Sequence, residues 1–284
     1  MRWRDEMLDQ LEATVPCGYF ARGEAASEPT ALAGLALAGN GRSEAARRAA
    51  DWLVERQQAN GAVGVTATHD SPCWPTALTM LVWHATGDAK YAAAITAASN
   101  WSLTEKGETL AQRELVGHDS MLLGWSWAAN THSWLEPTAL FVLALKAVGE
   151  REHPRTREAV RLLVDRLLPP GGCNYGNTTV LGQELLPHVQ PTGIVMMALG
   201  DEQIDDPRIG RSLEYLTANL SADTATASLC YGILGLKAHD QSPTDKLGWL
   251  EMAHERTMRQ GASPYKLALI SLASTDRFPV AANT

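Results

Sequence analysis

One four-residue phrase recurs along the chain and constrains the fold more than any other feature. Pro-Thr-Ala-Leu occurs at Pro29–Leu32, Pro75–Leu78 and Pro137–Leu140, and the related Pro-Thr-Gly-Ile stands at Pro191–Ile194. Proline is tolerated in the first turn of a helix because the amide it lacks has no partner there. Each phrase therefore predicts the start of a helix. A unit that recurs through 284 residues predicts a repeat architecture, in which each unit buries its apolar face against its neighbours.

Two kinds of segment alternate along the chain. One kind is apolar on every side, so it must form buried, inner helices; its members are Pro29–Ala38, Pro75–Ala85, Pro137–Val148, Pro191–Leu199, Thr224–Lys237 and Pro264–Ala273. The other kind is amphipathic and predicts outer helices; its members are Trp3–Ala13, Ser43–Gln58, Ala89–Ser102, Pro154–Leu168, Pro207–Asn219 and Thr244–Arg259. No segment has the alternation of a strand. Six alternating pairs predict an all-α protein, an (α/α)6 toroid that forms one domain over residues 1–284.

Composition narrows the class of protein. The four cysteines are widely spaced and form no Cys-x-x-Cys pair, so we expect reduced thiols and no disulfide framework. A formal net charge of −8, spread along the chain without an acidic tail, argues against nucleic acid as the main partner. No run approaches the roughly 18 apolar residues of a membrane span, and no signal peptide is evident. We therefore expect a cytoplasmic protein without a transmembrane segment.

The segment that ends the second outer helix carries a resemblance to a known family. Arg48–Val63, RAADWLVERQQANGAV, resembles the QW repeat of squalene and oxidosqualene cyclases, with Val63 in place of the final tryptophan. A weaker copy runs from Leu162 to Gly176, and there Cys173 takes the tryptophan position. The chain is thus similar to the superfamily of terpenoid cyclases and protein prenyltransferases. This resemblance implies an α/α toroid whose central cavity holds an isoprenoid or another apolar substrate, at the end where the inner helices begin.

The resemblance also implies where a cyclase would hold its proton donor. Such enzymes carry Asp-x-Asp-Asp-Thr-Ala at the start of an inner helix, and the middle aspartate protonates the substrate. Leu220–Ala225 keeps the final Asp-Thr-Ala, but Ala222 stands at the donor position. Asp223 remains as a residue that contacts substrate or, in the simpler interpretation, caps the helix. The alanine at the donor position weakens the hypothesis that the protein cyclises its substrate by protonating it.

Protein prenyltransferases, the other branch of the superfamily, hold a catalytic zinc ion with Asp, Cys and His. The corresponding residues here are Asp70, Cys73 and His132, although two residues separate Asp70 from Cys73 where the family has one. His118 and Asp119 are further candidates for catalysis or for supporting a ligand. In the alternative interpretation Cys73 packs as a small apolar residue and His132 hydrogen-bonds a loop. Zinc is thus a hypothesis, and no other cofactor is predicted.

The stretch Gly117–Leu145 is the richest in candidate side chains. Trp125 and Trp127 are two residues apart and cannot share a helix face, so we expect a loop across the mouth of the ring. The two indole rings either line a pocket and stabilise a cation, or they pack the loop onto the rim of the toroid. Further candidates for the lining stand near other inner-helix starts: Trp74, Trp134, Tyr175, His188 and Tyr231.

Three polar residues directly precede the proline of an inner helix: Glu28, Glu136 and Gln190. A carboxylate there faces the positive end of the helix dipole, so an electrostatic cap is the expected role.

Two functions are compatible with these observations. The first is an enzyme of the isoprenoid class, with chemistry at the inner-helix starts. The second is a non-catalytic toroid that binds a lipid or a protein through the same rim. A partner subunit or a homodimer is compatible with either function.

Overall fold

The computed structural model describes residues 2–109, 116–275 and 278–279. Six helices form an inner ring: α2 (Ser27–Gly39), α4 (Thr76–Ala85), α6 (Leu135–Ala147), α8 (Val189–Leu199), α10 (Thr226–Lys237) and α12 (Pro264–Ser274). Six others lie outside it: α1 (Arg2–Thr14), α3 (Ser43–Val54), α5 (Ala92–Thr104), α7 (Pro154–Asp165), α9 (Pro207–Asn219) and α11 (Lys246–Arg259). A short 3-10 turn at Ala89–Tyr91 precedes α5. None of the described helices is long and apolar enough to cross a membrane.

The inner helices close into a ring. Each packs against the next in chain order, and α12 packs against α2. Helix α1 completes the outer layer by packing against α12, and the Arg4 guanidinium donates a hydrogen bond to the Ser274 hydroxyl at 3.0 Å. The predicted all-α toroid is confirmed, with the inner and outer segments in the predicted order.

One small hairpin departs from the prediction that the chain contains no strand. Strands β1 (Thr179–Val180) and β2 (Gln183–Glu184) pair antiparallel in the loop that leads into α8. Leu181 and Gly182 both have left-handed φ, at 51° and 77°, as a two-residue hairpin turn requires. Two-residue strands are too short to show an alternating pattern in the sequence, which is why the hairpin was missed.

The threonine of each Pro-Thr phrase explains why the phrase repeats. Its buried hydroxyl accepts a hydrogen bond from a backbone N–H in the loop that leads into the helix. The pairs are Cys17 with Thr30 (3.1 Å), Val63 with Thr76 (2.9 Å), Trp125 with Thr138 (2.9 Å) and Cys173 with Thr192 (3.0 Å). The hydroxyl also lies within hydrogen-bond distance of the carbonyl of the same loop residue. Each threonine therefore fixes the incoming loop on its inner helix.

The segments that resemble QW repeats tie each repeat to the next outer helix. Gln57 donates to the carbonyl of Ala94 on α5 at 2.9 Å. Gly61 and Gly171 have φ of +96° and +98°, and a Cβ atom on either would come within 2.5 Å of a backbone carbonyl oxygen of α5 or α9. Only glycine combines this φ with such close approach. The glycine of the motif is thus explained by backbone packing.

Candidate functional site

The site is built where the inner helices begin. An outer helix returns between successive inner helices, so all six inner helices start at one end of the ring, here called the amino rim. Glu28, Glu136 and Gln190 are each the second residue of their inner helix and directly precede its proline. The repeat therefore places all three at equivalent positions on the amino rim.

Glu136 is a buried carboxyl group. The residue is 6% exposed, and its Oε1 accepts a hydrogen bond from the Gln190 amide at 3.1 Å. Burial raises the pKa of Glu136 to about 7, although the bond from Gln190 lowers it in part. An electrostatic cap would be stabilised as a carboxylate, which lowers a pKa. Burial therefore dominates the environment of Glu136, and its role as an electrostatic cap stays a prediction.

Glu28 is a second carboxyl group of the same kind, on α2. It keeps partial access to solvent and accepts a hydrogen bond from the Tyr19 hydroxyl. Burial raises the pKa of Glu28 to about 7; the bond from Tyr19 lowers it, and the charge of Glu136 raises it further. Glu28 and Glu136 both stand at the amino rim, on helices that α4 separates in the ring. The charge of Glu136 is among the causes that raise the pKa of Glu28.

Two tyrosines join the glutamates. Tyr231 on α10 is buried, and the ring of Tyr265 on α12 lies 5.5 Å from the ring of Tyr19. Burial raises the pKa of both hydroxyls, and the charges of Glu28 and Glu136 raise both further. Side chains from α2, α6, α8, α10 and α12 thus meet in one group, here called the central cluster: Tyr19, Glu28, Glu136, Gln190, Tyr231 and Tyr265.

Tryptophans occupy the remaining part of the amino rim. Trp74 stands directly before the proline of α4, in the position that Glu28 and Glu136 hold on their helices. Its ring packs edge-to-face against Trp127 with centroids 4.7 Å apart, and both residues are half-buried. The structure therefore places these two predicted lining residues together at the rim.

Trp125, in contrast, does not line a central pocket. It stacks on Phe141 at 4.9 Å, its indole N–H donates to the Ser102 carbonyl at 3.0 Å, and the Arg155 guanidinium lies 4.0 Å from its ring centroid. These partners belong to α6, α5 and α7, so the ring is wedged between the inner and outer layers. The prediction that Trp125 shapes the cavity is corrected: its backbone bond to Thr138 gives it the structural position of Val63 and Cys173.

His118 and His132 do come together. They line a cavity of about 150 Å³ with Arg166, and burial followed by the Arg166 charge lowers the pKa of both imidazoles, that of His118 to about 4. His132 also packs on Trp134 at 4.4 Å. His188 packs on Tyr175 at 5.1 Å and is not among the residues that line this cavity.

The predicted zinc ligands do not form a metal site. Asp70 is exposed, and its backbone carbonyl accepts a hydrogen bond from the Cys73 thiol at 3.1 Å. Burial raises the pKa of Cys73, which favours the thiol over the thiolate that zinc requires. Within residues 2–109, 116–275 and 278–279, no three His, Cys, Asp or Glu side chains form a group able to hold a metal ion. The ligand set Asp70, Cys73 and His132 is thus corrected.

Two further aspartates have local roles or none. The Asp119 carboxylate accepts the backbone N–H of Met121 at 2.9 Å and closes a turn. Asp223 is exposed, and its carboxylate makes no hydrogen bond to any residue that the structure describes. Helix α10 begins at Thr226 with Ala225 at its N-cap, so the interpretation of Asp223 as the capping residue is wrong.

The chain is similar to known proteins in its fold and not in its sequence. No protein-family model matches the chain, and no curated protein sequence matches it. Among solved structures, a type II terpene cyclase of Scytonema, MstE, in complex with geranylgeranyl dihydroxybenzoate, matches with a TM-score of 0.58 and 13% identity, over 91% of this chain and 79% of that one. The chain has the α/α toroid fold of a type II terpene cyclase. At such identity the match shows the fold alone.

Two other structures share this toroid. A protein of Actinoplanes matches with a TM-score of 0.55 and 14% identity, over 90% of this chain and 80% of its own. The α-2-macroglobulin of Escherichia coli matches with a TM-score of 0.55 and 13% identity, over 96% of this chain but only 17% of its own. Since proteins of such different kinds carry the same ring, the function has to be argued from the site.

Proposed function

We propose that this protein binds an isoprenoid or a similar apolar molecule at the amino rim and catalyses proton transfer on it, with Glu28 and Glu136 as the acid–base groups. The observation that carries the proposal is a pair of carboxyl groups at the amino rim, one buried and one half-buried, together with the tyrosine hydroxyls of the central cluster. Carboxyl groups with pKa values near 7 suit general acid–base catalysis, because both protonation states are accessible at neutral pH.

The chemistry of the cluster favours one kind of step over another. A carboxyl group whose pKa is raised is a weaker acid, so Glu136 suits proton exchange at an oxygen or proton removal from a carbocation better than protonation of an unactivated alkene. The faces of Tyr231 and Tyr265 supply cation–π stabilisation for a positive intermediate. Two carboxyl groups at the same rim repel a diphosphate, so the proposed substrate is neutral. The MstE structure contains geranylgeranyl dihydroxybenzoate, which supports an isoprenoid ligand for this ring.

Incubation with candidate substrates tests this proposal. Purified protein is treated with squalene, geranylgeraniol and geranylgeranyl diphosphate, and the products are read by mass spectrometry. We expect a product from a neutral substrate, and at least about 100-fold less of it from Glu136→Gln, the usual size of a lost acid–base group. Glu184→Gln is the matched control, since Glu184 is an exposed glutamate in the β2 strand of the same rim. Equal turnover by both variants would contradict the role of Glu136.

A second function is favoured by a separate observation. Seven large apolar side chains in the loops that lead into inner helices are between 40% and 90% exposed: Tyr19, Phe20, Met121, Tyr175, Val180, Leu181 and Leu186. An apolar surface of this kind is typical of a binding face. The alternative is therefore a non-catalytic toroid that binds a lipid or a protein partner there.

Vesicle binding separates the two functions. Sedimentation with phosphatidylcholine vesicles should retain the protein if the rim binds lipid, and Phe20→Ser with Leu181→Ser should release it. Met252→Ser with Met258→Ser removes exposed apolar side chains from the outer helix α11 and serves as the control. Retention of all forms alike would exclude the rim as the lipid-binding surface. Product formation in the substrate assay would favour the enzyme.

A further inference from the structure

A second polar site lies outside the central cluster. The described residues that line a cavity of about 150 Å³ next to His132 include none of that cluster; they are Glu108, His118, Ser120, Leu122, His132, Ser133, Arg166 and Asn177. These residues come from the end of α7 and from the loops before α6 and α8. The volume lies well below the roughly 300–1,000 Å³ of pockets for drug-sized ligands. A ligand of this cavity is therefore small.

Two buried nitrogen atoms in the lining lack partners. The Arg166 side chain is almost fully buried; its terminal nitrogens donate to the carbonyls of Gly176 and Asp119, but its Nε makes no hydrogen bond to the described residues. The Nε2 of His132 is likewise buried and has no partner there. A buried polar group without a partner costs about 1–3 kcal/mol, so such groups call for an explanation. A ligand that accepts hydrogen bonds from both would supply one.

The charges around the cavity decide the kind of ligand. Arg166 is a buried cation, and its Nε forms an ion pair with the Asp165 carboxylate at 3.4 Å without meeting the geometry of a hydrogen bond. Asp119 and Glu108 are exposed, so solvent screens their charges. Among the described lining residues, His118 and His132 are the remaining titratable groups, and burial followed by the Arg166 charge lowers the pKa of both. An anion would neutralise that charge and favour protonated imidazoles, which are donors at both nitrogens.

We propose that this cavity binds a small oxyanion of the size of sulfate or phosphate, held by the Arg166 Nε–H, the protonated His132 and the amide of Asn177. The anion would connect α7 to the loops before α6 and α8, and so would hold the approach to the amino rim in place. Because binding favours protonation of the histidines, affinity rises as pH falls. This inference stands independently of the proposed function.

Titration calorimetry with inorganic sulfate tests the site. Sulfate keeps its charge across the relevant pH range, and heat of binding is the better signal because sulfate raises melting temperatures without specific binding. We expect saturable binding that is at least about tenfold tighter at about pH 6 than at about pH 8. His132→Phe should weaken it at least about tenfold at pH 6, since phenylalanine keeps the packing on Trp134 but removes Nε2.

A matched control and a second variant make the outcome decisive. His188→Phe alters another rim histidine that packs on an aromatic ring outside the cavity, and it should leave sulfate affinity unchanged. Asn177→Leu removes a second donor from the lining and should also weaken binding. It replaces His132→Phe as the test if that variant fails to fold. Absence of saturable binding at both pH values would overturn the proposal. Equal affinity in wild type, His132→Phe and Asn177→Leu would also overturn it, because the anion would then bind elsewhere.

Discussion

The two ends of the ring treat their acidic side chains in opposite ways. At the amino rim, burial raises the pKa values of Glu28 and Glu136 to about 7. At the opposite end, near the C-termini of α6 and α8, burial also raises the pKa of Glu202, but bonds from Arg157 and Lys146 more than offset it, and the net shift is downward. Burial is thus common to both ends. What differs is the supply of cations, and it decides whether a buried acid is held charged or neutral.

The opposite end has the features of a structural clamp. Glu202 and Lys146 have nearly buried side chains 3.1 Å apart, and Arg151 and Arg157 reach the same carboxylate at 2.8 Å and 2.7 Å. Lys146 also donates to the carbonyl of Ala198 at 2.7 Å, which ties α6 to α8. The central cluster has no such ion pairs among its members. Its side chains are neutral or, in the case of the glutamates, only partly ionised near neutral pH. Polar groups kept without full compensation are more typical of functional sites than of clamps.

Removal of the buried acid at the clamp should have the largest effect. Glu202→Ala leaves Lys146 buried with part of its compensation lost, so we expect a loss of about 3 kcal/mol in the free energy of unfolding. Urea unfolding at neutral pH measures it. Glu214→Ala, which removes an exposed glutamate of α9, is the control and should cost less than about 0.5 kcal/mol. A small loss in Glu202→Ala would mean that the network is not a clamp.

Removal of a buried acid at the amino rim should instead stabilise the protein. The folded pKa of Glu136 lies above its unfolded value, so the protein loses stability as pH rises from about 4.5 to about 7. Glu136→Gln removes that loss, and we expect it to stabilise the protein by about 2 kcal/mol at about pH 8 and to have no such effect at about pH 4. The difference between variant and wild type is the quantity to measure, because buried histidines titrate in the same range. A destabilised variant at pH 8 would contradict the raised pKa.

A smaller effect should separate the two glutamates of the cluster. The Tyr19 hydroxyl donates to Glu28 and lowers its pKa, so Tyr19→Phe should raise the pKa of Glu28 further. The change in stability should be about 1 kcal/mol or less. The infrared band of the protonated carboxyl group, followed against pH, reports the shift. Tyr215→Phe, which removes a hydroxyl bonded to the Pro187 carbonyl, should leave that titration unchanged.

The smallest effect is expected from an acid that has no such environment. Asp223 lies at the amino rim before α10, but it is exposed and makes no hydrogen bond within the described residues. Asp223→Ala should change the free energy of unfolding by less than about 0.5 kcal/mol. A loss of about 1 kcal/mol in urea unfolding would restore its role as a cap.

The fold could be predicted because the sequence features that specify it lie within short segments of the chain. Prolines mark the starts of inner helices, and segments without a polar face must be inside, so the order of the twelve helices follows from short windows of sequence. The Pro-Thr threonine was visible as a repeat, but its bond to the incoming loop was not, since that partner lies 13 residues earlier in three cases and 19 in the fourth.

The site was less predictable because it depends on ring closure. Glu28 and Glu136 stand at inner-helix starts, which predicts a cap; the burial that raises their pKa values depends on the closed ring. Trp125 was conspicuous by type, yet its position between two layers depends on the backbone bond to Thr138. Cys73 and His132 match a family order along the chain, but chain order does not set distance. Tyr265 carried no signal beyond its place in the last inner helix.

The seal between α1 and α12 has a consequence for biosynthesis. Met7, Leu8 and Leu11 of α1 are buried in the finished ring, and α12 is the inner helix that α1 covers. The ribosome reaches α12 about 250 residues after α1, which takes roughly 12–50 s at typical elongation rates. Throughout that interval α1 has α2 as a partner but lacks α12. Part of the apolar face of α1 therefore stays uncovered through nearly the whole synthesis, and chaperone dependence should be concentrated there.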